Sequence, residues 1–148
     1  MPGEEYIETY VPGEIHIGRL KHGDDLLAGI LALCTEKNIQ MGAVQAIGAL
    51  STAKVAYYHQ NEKKYQEISL DGHYEIVSLI GNISLKDGVL LCHAHIVLGD
   101  ETGNTQGGHL VRGCTVFACE VIITALKGKT LQRGYDEMTG LPLWNFKL

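Results

Sequence analysis

The sequence lacks the basic charge and the long apolar runs that would place it in several large classes of protein. Its 148 residues include only 12 Lys or Arg against 17 Asp or Glu, so the net charge is −5 with histidine neutral. A negative chain is repelled by phosphate backbones, which gives nonspecific nucleic-acid binding no support. No apolar run approaches the ~20 residues of a membrane span, and Met1–Tyr6 carries no basic or apolar signal segment. We therefore expect neither secretion nor insertion into a membrane.

Cysteine is also scarce, and its spacing matches no disulfide or metal framework. Four cysteines occur, and none of them forms a Cys-x-x-Cys pair: Cys34, Cys92, Cys114 and Cys119. Cys92 and Cys114 lie in apolar, strand-like runs, where free thiols pack as small hydrophobic side chains. We expect reduced, buried thiols in a cytoplasmic protein.

The order of predicted elements indicates an α+β protein. The length and the 45% hydrophobic content are typical of a single domain, here residues 1–148. Glu14–Leu20 alternates as a strand does, and Asp24 or Asp25 then caps a helix over about Asp25–Lys37, with Asn38 at its C-terminal end. This is the one main helix that we predict.

The remainder of the chain predicts short strands joined by tight turns, and hence a central, mostly antiparallel sheet. We expect the last twenty residues to be mixed, with Tyr135, Trp144 and Phe146 tucked onto the surface of the core. Val116–Leu126 is apolar on both faces, which predicts a central strand. The other predicted strands are Met41–Leu50, Thr52–His59, Lys64–Leu70, Tyr74–Leu85 and Val89–Leu98.

Three histidines are the residues that point most directly to chemistry. His93 and His95 lie two apart on a predicted strand, so their side chains project from the same face. A segment rich in turn formers follows, and such a loop can bring His109 back to them. Three imidazoles with no evident fourth protein ligand are typical of a zinc site with one open position.

The ligand type determines what such a site could do. Because imidazole is neutral, a zinc ion held by three histidines keeps its full charge and can acidify water or polarise a carbonyl. Nickel, cobalt, iron or manganese suits the same ligands. A histidine ligand usually needs an acceptor that orients its ring, and Glu75, Asp100 and Glu120 are candidates by residue type.

Other interpretations of the same residues remain open. His93 and His95 could be ordinary strand histidines, with His109 in a loop. A cupin barrel also uses a His-x-His pair, but Glu101 lies too far from His95 for that pattern, and the long helix fits such a barrel poorly. No Gly-x-Gly-x-x-Gly or Walker pattern occurs, so the glycines around position 107 predict a tight loop and no nucleotide cofactor. The remaining histidines are expected on the surface or in turns: His16, His22, His59 and His73.

Several segments match one known family. They are residues 73–83, the His93-Ala94-His95 strand and the run Gly107-Gly108-His109-Leu110. The match extends to Arg19, to the helix start at residues 23–26 and to residues 46–49. On these residues the chain resembles the plants and prokaryotes conserved (PPC) domain, in its stand-alone prokaryotic form, a domain of unknown function often labelled DNA-binding.

The resemblance implies a fold similar to acetolactate decarboxylase, a homotrimeric assembly, and a metal, commonly zinc, at the positions of His93, His95 and His109. In the plant proteins the domain follows an AT-hook, whose Arg-Gly-Arg-Pro core enters the minor groove of DNA. This chain contains no Arg-Gly-Arg-Pro sequence and no basic arm. Direct DNA binding through a hook is therefore not expected.

Two functional hypotheses follow. In the first, the chain is a metal-dependent enzyme acting on a small carbonyl or carboxylate metabolite. Glu75 or Glu120 would then transfer a proton, and Arg19 or Arg112 would hold the substrate's charge. In the second, it is a DNA-binding or transcription-associated scaffolding module that acts as a trimer, with no catalytic set. Binding to AT-rich duplex that weakens steeply with salt would favour the second.

Overall fold

A large, mostly antiparallel sheet and one helix make up residues 6–147, the part of the chain that the computed structural model describes. Most of Met1–Tyr6, where we expect no signal segment, lies outside the described residues. The predicted α+β fold is confirmed. In chain order the elements are β1 (Val11–Leu20), α1 (Leu26–Glu36), β2 (Gly42–His59), β3 (Lys64–Leu70), β4 (Tyr74–Lys86), β5 (Val89–Gly99), β6 (Thr105–Leu110), β7 (Thr115–Lys127), β8 (Gln132–Asp136) and β9 (Leu141–Asn145).

The helix begins and ends where its sequence predicts. A carboxylate oxygen of Asp25 accepts a hydrogen bond from the backbone N–H of Ala28 at 2.9 Å, and the other accepts from Gly113 N–H at 2.7 Å. Asn38 follows the helix with a φ of 56°. With 11 residues, α1 is too short to cross a membrane, and no other helix occurs among residues 6–147. Its apolar side packs into the core through Leu26, Ile30 and Cys34.

The strand order is β1-β7-β2-β6-β5-β4-β8-β9, with β3 paired to β2. An additional pairing between β2 and β4 closes a circuit of four strands, β2, β6, β5 and β4. The pairing of β8 with β4 is parallel, and the other pairings between strands are antiparallel. The closed circuit fixes β5 and β6 side by side, which matters for the histidines that they carry.

Strand β2 corrects one prediction. Met41–Leu50 and Thr52–His59 were expected to be separate strands, but Gly42–His59 is a single strand of 18 residues. Its first half pairs with β4 and β7, and its second half pairs with β3 and β6. The ladder with β7 shifts register around Leu50. This irregularity accommodates the change of partners without ending the strand.

Strand β6 corrects a second prediction, because the segment expected to be a loop pairs with β5. Its glycines explain the difference. A Cβ atom on Gly107 would lie 2.1 Å from the backbone oxygen of Ile96, and one on Gly108 would lie 2.7 Å from that of Ala56. Only glycine permits so close an approach, so residues that suit a turn here form a strand packed against its neighbours.

The C-terminal segment is more ordered than its mixed pattern indicates. Strands β8 and β9 form a hairpin beside β4. Trp144 donates its indole N–H to the hydroxyl of Ser84 at 3.2 Å and is 38% exposed, while Phe146 is half-buried. Tyr135 is 73% exposed, so its predicted place against the core is wrong. Only Gln132 and Arg133 of β8 pair with β4, so Tyr135 lies beyond the paired part of the strand and stays outside the core.

The two faces of the sheet differ in exposure. The inner face and α1 form the core, and all four cysteines are free and buried, as predicted. On the opposite face, called the outer face here, one row of side chains lies in register across six strands. Although β7 has a neighbour on each side, its Ile122 remains 40% exposed. The row consists of Ile17, Ile122, Gln45, Ile80, His95 and His109.

Candidate metal centre

The three histidines predicted to bind a metal meet on the outer face. Strand alternation turns Cys92 and Ala94 into the core, so His93 and His95 project from the other side. The β5–β6 register then sets His109 directly opposite His95. Ligand nitrogens of the three rings all lie within 4.8 Å of one another, and the Nε2 atoms of His93 and His95 are 3.3 Å apart. These are separations that a single ion could bridge.

The environment favours the neutral form of His93 and His109. Burial first, and then the nearby His93 and His95, lower the pKa of His109 to about 4. Burial also lowers the pKa of His93, with Arg133 and His95 acting in the same direction. A neutral imidazole has a free lone pair, which is the form that binds a metal. His93 and His109 are therefore in their ligating form at neutral pH.

One buried nitrogen supports the fit between this site and a metal ion. Nδ1 of His109 is buried and has no hydrogen-bond partner among the residues described. A buried polar atom without a partner costs about 1–3 kcal/mol. A cation bound among the three rings would satisfy that atom, so the donor set and its burial both suit a divalent ion. His93, His95 and His109 are the residues that would hold it.

A cavity of about 840 Å³ opens beside the histidines. Aromatic side chains from β2 and β3 form one wall, and Tyr65 lies with its ring centroid 4.7 Å from that of His109. Gln106 of β6 and Leu143 of β9 line other parts of it. A space of this size and mainly apolar lining suits a small organic ligand.

Arg133 is a residue of this site that sequence reasoning missed. It is only 7% exposed and lines the cavity together with His93. Its Nε donates to the Ser84 hydroxyl at 2.9 Å and one Nη to the side-chain oxygen of Asn82 at 2.8 Å. The other Nη donates to the backbone oxygen of Pro142 at 3.0 Å. Its place depends on the parallel pairing of β8 with β4, which no local pattern predicts.

The residues named for proton transfer and substrate binding lie elsewhere. Glu75 and Glu120 share a separate depression of about 310 Å³. Arg19 lies across from Glu120 in the β1–β7 ladder, and Arg112 is exposed between β6 and β7. None of these four lines the histidine cavity. Their catalytic roles stay predictions.

The remaining candidates also have other surroundings. One carboxylate oxygen of Asp100 accepts hydrogen bonds from the backbone and hydroxyl of Thr102 and from the backbone of Asn104, so it shapes the β5–β6 turn. Of the scattered histidines, His22 bonds to the backbone oxygen of Phe117 at 2.9 Å. None of the four scattered histidines is among the residues lining the cavity: His16, His22, His59 and His73.

Comparison with known proteins identifies the family. The model of the Plants and Prokaryotes Conserved (PCC) domain matches residues 8–127. The chain belongs to this family. It is the PPC family of the sequence resemblance, so that prediction is confirmed. The matched range includes all three histidines and ends before β8, so Arg133 lies outside it.

Solved structures of PPC relatives share the fold over nearly the whole chain. A metal-containing protein from Archaeoglobus fulgidus is 40% identical, with a TM-score of 0.90 over 95% of this chain and 99% of its own. A plant- and prokaryote-conserved protein from Pyrococcus horikoshii is 38% identical, with a TM-score of 0.90 over 95% and 97%. A Ralstonia eutropha protein provisionally named as DNA-binding is 26% identical, with a TM-score of 0.79 over 88% and 90%.

Two curated relatives are much longer than this PPC chain. Both are named bifunctional protein GlmU, from two Synechococcus strains, and each is 33% identical. The matches cover 108 and 133 residues, or 72% and 87% of this chain, but only 16% and 20% of the relatives. The chain thus spans about a fifth or less of their length, and the similarity concerns a small part of each.

Proposed function

We propose that this PPC protein binds a divalent metal ion, with zinc as the physiological ion, through His93, His95 and His109. One coordination position remains open to a small carbonyl or carboxylate metabolite. The observation that carries the proposal is the convergence of three imidazoles beside a cavity, with Nδ1 of His109 buried and without a partner among the described residues. The metal-containing relative from Archaeoglobus fulgidus supports it.

The chemistry would be shared between the ion and the chain. A zinc ion with three neutral ligands supplies Lewis acidity toward an oxygen atom of the bound ligand. The protein would orient the ligand between the histidines and the aromatic wall, which includes the ring of Tyr65 beside His109. Proton transfer by Glu75 or Glu120 stays part of the enzyme hypothesis and needs its own test.

Elemental analysis of protein purified without an affinity tag tests the metal site. We expect about one metal ion per chain in the wild type and a loss of at least tenfold in His93→Ala, because two imidazoles bind far more weakly than three. His73→Ala is the matched control, since His73 is exposed and lies outside the cavity lining. Equal metal content in wild type and His93→Ala would refute the site. If zinc is the main ion found, the assignment of zinc as the physiological ion is supported. If another ion predominates, that ion replaces zinc in the proposal.

We also propose that the chain assembles as a homotrimer through the outer face. Isoleucines are exposed along this face, including Ile17 at 79%, Ile47 at 56% and Ile80 at 66%. Apolar side chains clustered on one face are typical of an interface. Light scattering on the eluting protein should give three times the chain mass. Ile17→Asp should dissociate the assembly, while Val89→Asp, at an exposed hairpin end, should not. A monomeric wild type would contradict the proposal.

A second candidate function is a DNA-binding or transcription-associated scaffold. The Ralstonia eutropha relative with a provisional DNA-binding name favours it. The net charge of −5 opposes direct contact with phosphates, so this function would operate through a partner protein. A gel-shift titration with AT-rich duplex at low and moderate salt separates the alternatives. Tight, steeply salt-dependent binding would establish a direct DNA contact.

A further inference from the structure

We infer that Arg133 is the anion-binding residue of the histidine cavity, and that the ligand of this site is a small carboxylate with a second oxygen donor directed at the histidines. The inference rests on the proposed metal centre, which would bind that second oxygen. Arg133 thereby takes the role predicted for Arg19 or Arg112, binding the ligand's charge, because neither of those two residues lines the cavity.

The burial of Arg133 is the first argument. Taking a guanidinium out of water costs several kcal/mol unless a carboxylate or a full set of acceptors compensates. Here the three acceptors are neutral, namely the Ser84 hydroxyl, the Asn82 amide oxygen and the Pro142 carbonyl. Among residues 6–147, no Asp or Glu forms an ion pair with it. A buried cation held by neutral groups is suited to an anion that arrives as a ligand.

The N–H groups of Arg133 that remain after these three hydrogen bonds are available to a ligand. A guanidinium carries five N–H groups, and three of them are used by these acceptors. The Trp144 ring covers one side, with its centroid 5.1 Å from the guanidinium carbon. Arg133 nevertheless lines the histidine cavity, and its charge acts on His93 and on Tyr65. The guanidinium is thus held by acceptors on β4 and β9 and lines the cavity beside His93.

The charge of the cavity is the second argument. No Asp or Glu lines it among the described residues, and Arg133 is its one permanently charged lining residue. A divalent ion on three neutral histidines would add more positive charge. In a chain of net charge −5, this is a local concentration of the opposite sign. It selects an anionic ligand and repels cationic ones.

The ligand class follows from these features. The planar fork of a guanidinium matches the two oxygens of a carboxylate. The rest of the lining is mainly apolar and aromatic, which suits a short carbon skeleton between the carboxylate and the second oxygen. A 2-hydroxy or 2-oxo carboxylate has this composition.

Lactate and lactamide form a matched pair of probes, because they differ only in the charged carboxylate. Calorimetry on the zinc-loaded protein measures affinity, and the visible spectrum of the cobalt-loaded protein reports contact with the metal. We expect lactate to bind about 10- to 100-fold more tightly than lactamide, the range for a charge-assisted pair. Equal affinities would overturn the inference. Tighter binding of inorganic phosphate than of lactate would overturn the carboxylate assignment.

Variants assign the effect to Arg133. Arg133→Met should lose at least tenfold in lactate affinity with unchanged metal content. Arg112→Met is the matched control, since Arg112 is exposed and does not line the cavity. If Arg133→Met does not fold, Arg133→Lys is used instead, because it keeps the positive charge but lacks the planar guanidinium fork. The Lys variant should bind lactate several-fold more weakly than the wild type. Wild-type affinity in a folded, metal-loaded Met or Lys variant would overturn the inference.

Metal content and lactate binding are measured separately, so failure of the metal centre can be distinguished from failure of the anion site. If wild type and His93→Ala both lack metal, the metal centre fails, whereas lactate binding that still depends on Arg133 would leave the anion site standing. If metal binds but lactate does not discriminate against lactamide, the anion site fails and the metal centre stands.

Discussion

Mild acid should destabilise the metal-free protein over a pH range that His109 sets. Its pKa is lowered from 6.5 to about 4 in the folded chain, first by burial and then by His93 and His95. Between these values the unfolded chain takes up a proton that the folded chain does not. The free energy of unfolding is therefore fully retained above about pH 6.5 and falls as the pH drops toward 4.

The size of the effect follows from the shift. Each pKa unit corresponds to about 1.4 kcal/mol, so the whole shift of His109 is worth about 3 kcal/mol. Integration over the titration assigns about 2 kcal/mol of it to the interval between pH 7 and pH 5. The lowered pKa of His93 acts in the same direction. The free energy of unfolding of a domain is about 5–15 kcal/mol in total, so a loss of this size is readily measurable.

Urea unfolding of chelator-treated protein, followed by Trp144 fluorescence at pH 7, 6 and 5, measures the loss. The protein concentration is held constant because an assembly would make stability depend on it. His109→Gln should remove about 2 kcal/mol of the pH dependence, whereas His73→Gln, at an exposed position, should leave it unchanged. If wild type and His109→Gln lose the same free energy between pH 7 and pH 5, the reasoning is refuted.

Two substitutions test the scaffold around the site. Gly107→Ala would set a Cβ 2.1 Å from the Ile96 backbone oxygen, so this variant should lower metal affinity at least tenfold. Gly18→Ala is the control, because a Cβ there would have no atom within 4 Å. Equal metal affinities of the two variants in a titration would contradict the prediction. Asp25→Ala removes the cap that accepts from Ala28 N–H and should cost about 1 kcal/mol in urea unfolding. No loss there would show that the cap is replaced by water.

Local chemistry made several elements predictable. The capping carboxylate of Asp25 and the left-handed conformation of Asn38, with φ of 56°, bound the helix where the sequence predicts. Asp87 and Gly88 both have positive φ, at 51° and 75°, as a tight turn between the strands predicted at Tyr74–Leu85 and Val89–Leu98 requires. These features depend on backbone preferences of adjacent residues, so the sequence contains the information that decides them.

Partner choice within the sheet was not predictable. Residues around Ser51 look like a strand boundary, yet β2 continues because β4 and β7 pair with one half and β3 and β6 with the other. The glycines before His109 are typical of a turn, but the closeness of Ile96 makes them necessary in a strand. In both places contacts between distant segments override the local signal.

The candidate site also has one part that the local sequence predicts and another that depends on contacts between distant segments. Strand geometry alone determines that His93 and His95 share a face, because alternation is a property of the backbone. Their meeting with His109 needs the β5–β6 register, and the burial of Arg133 needs β8 beside β4. Those pairings arise from burying the apolar face of a whole sheet at once, a property of the tertiary structure. The sequence by itself determined that two candidate metal ligands share a face, and the folded chain decided the position of the third histidine and of the Arg133 guanidinium beside them.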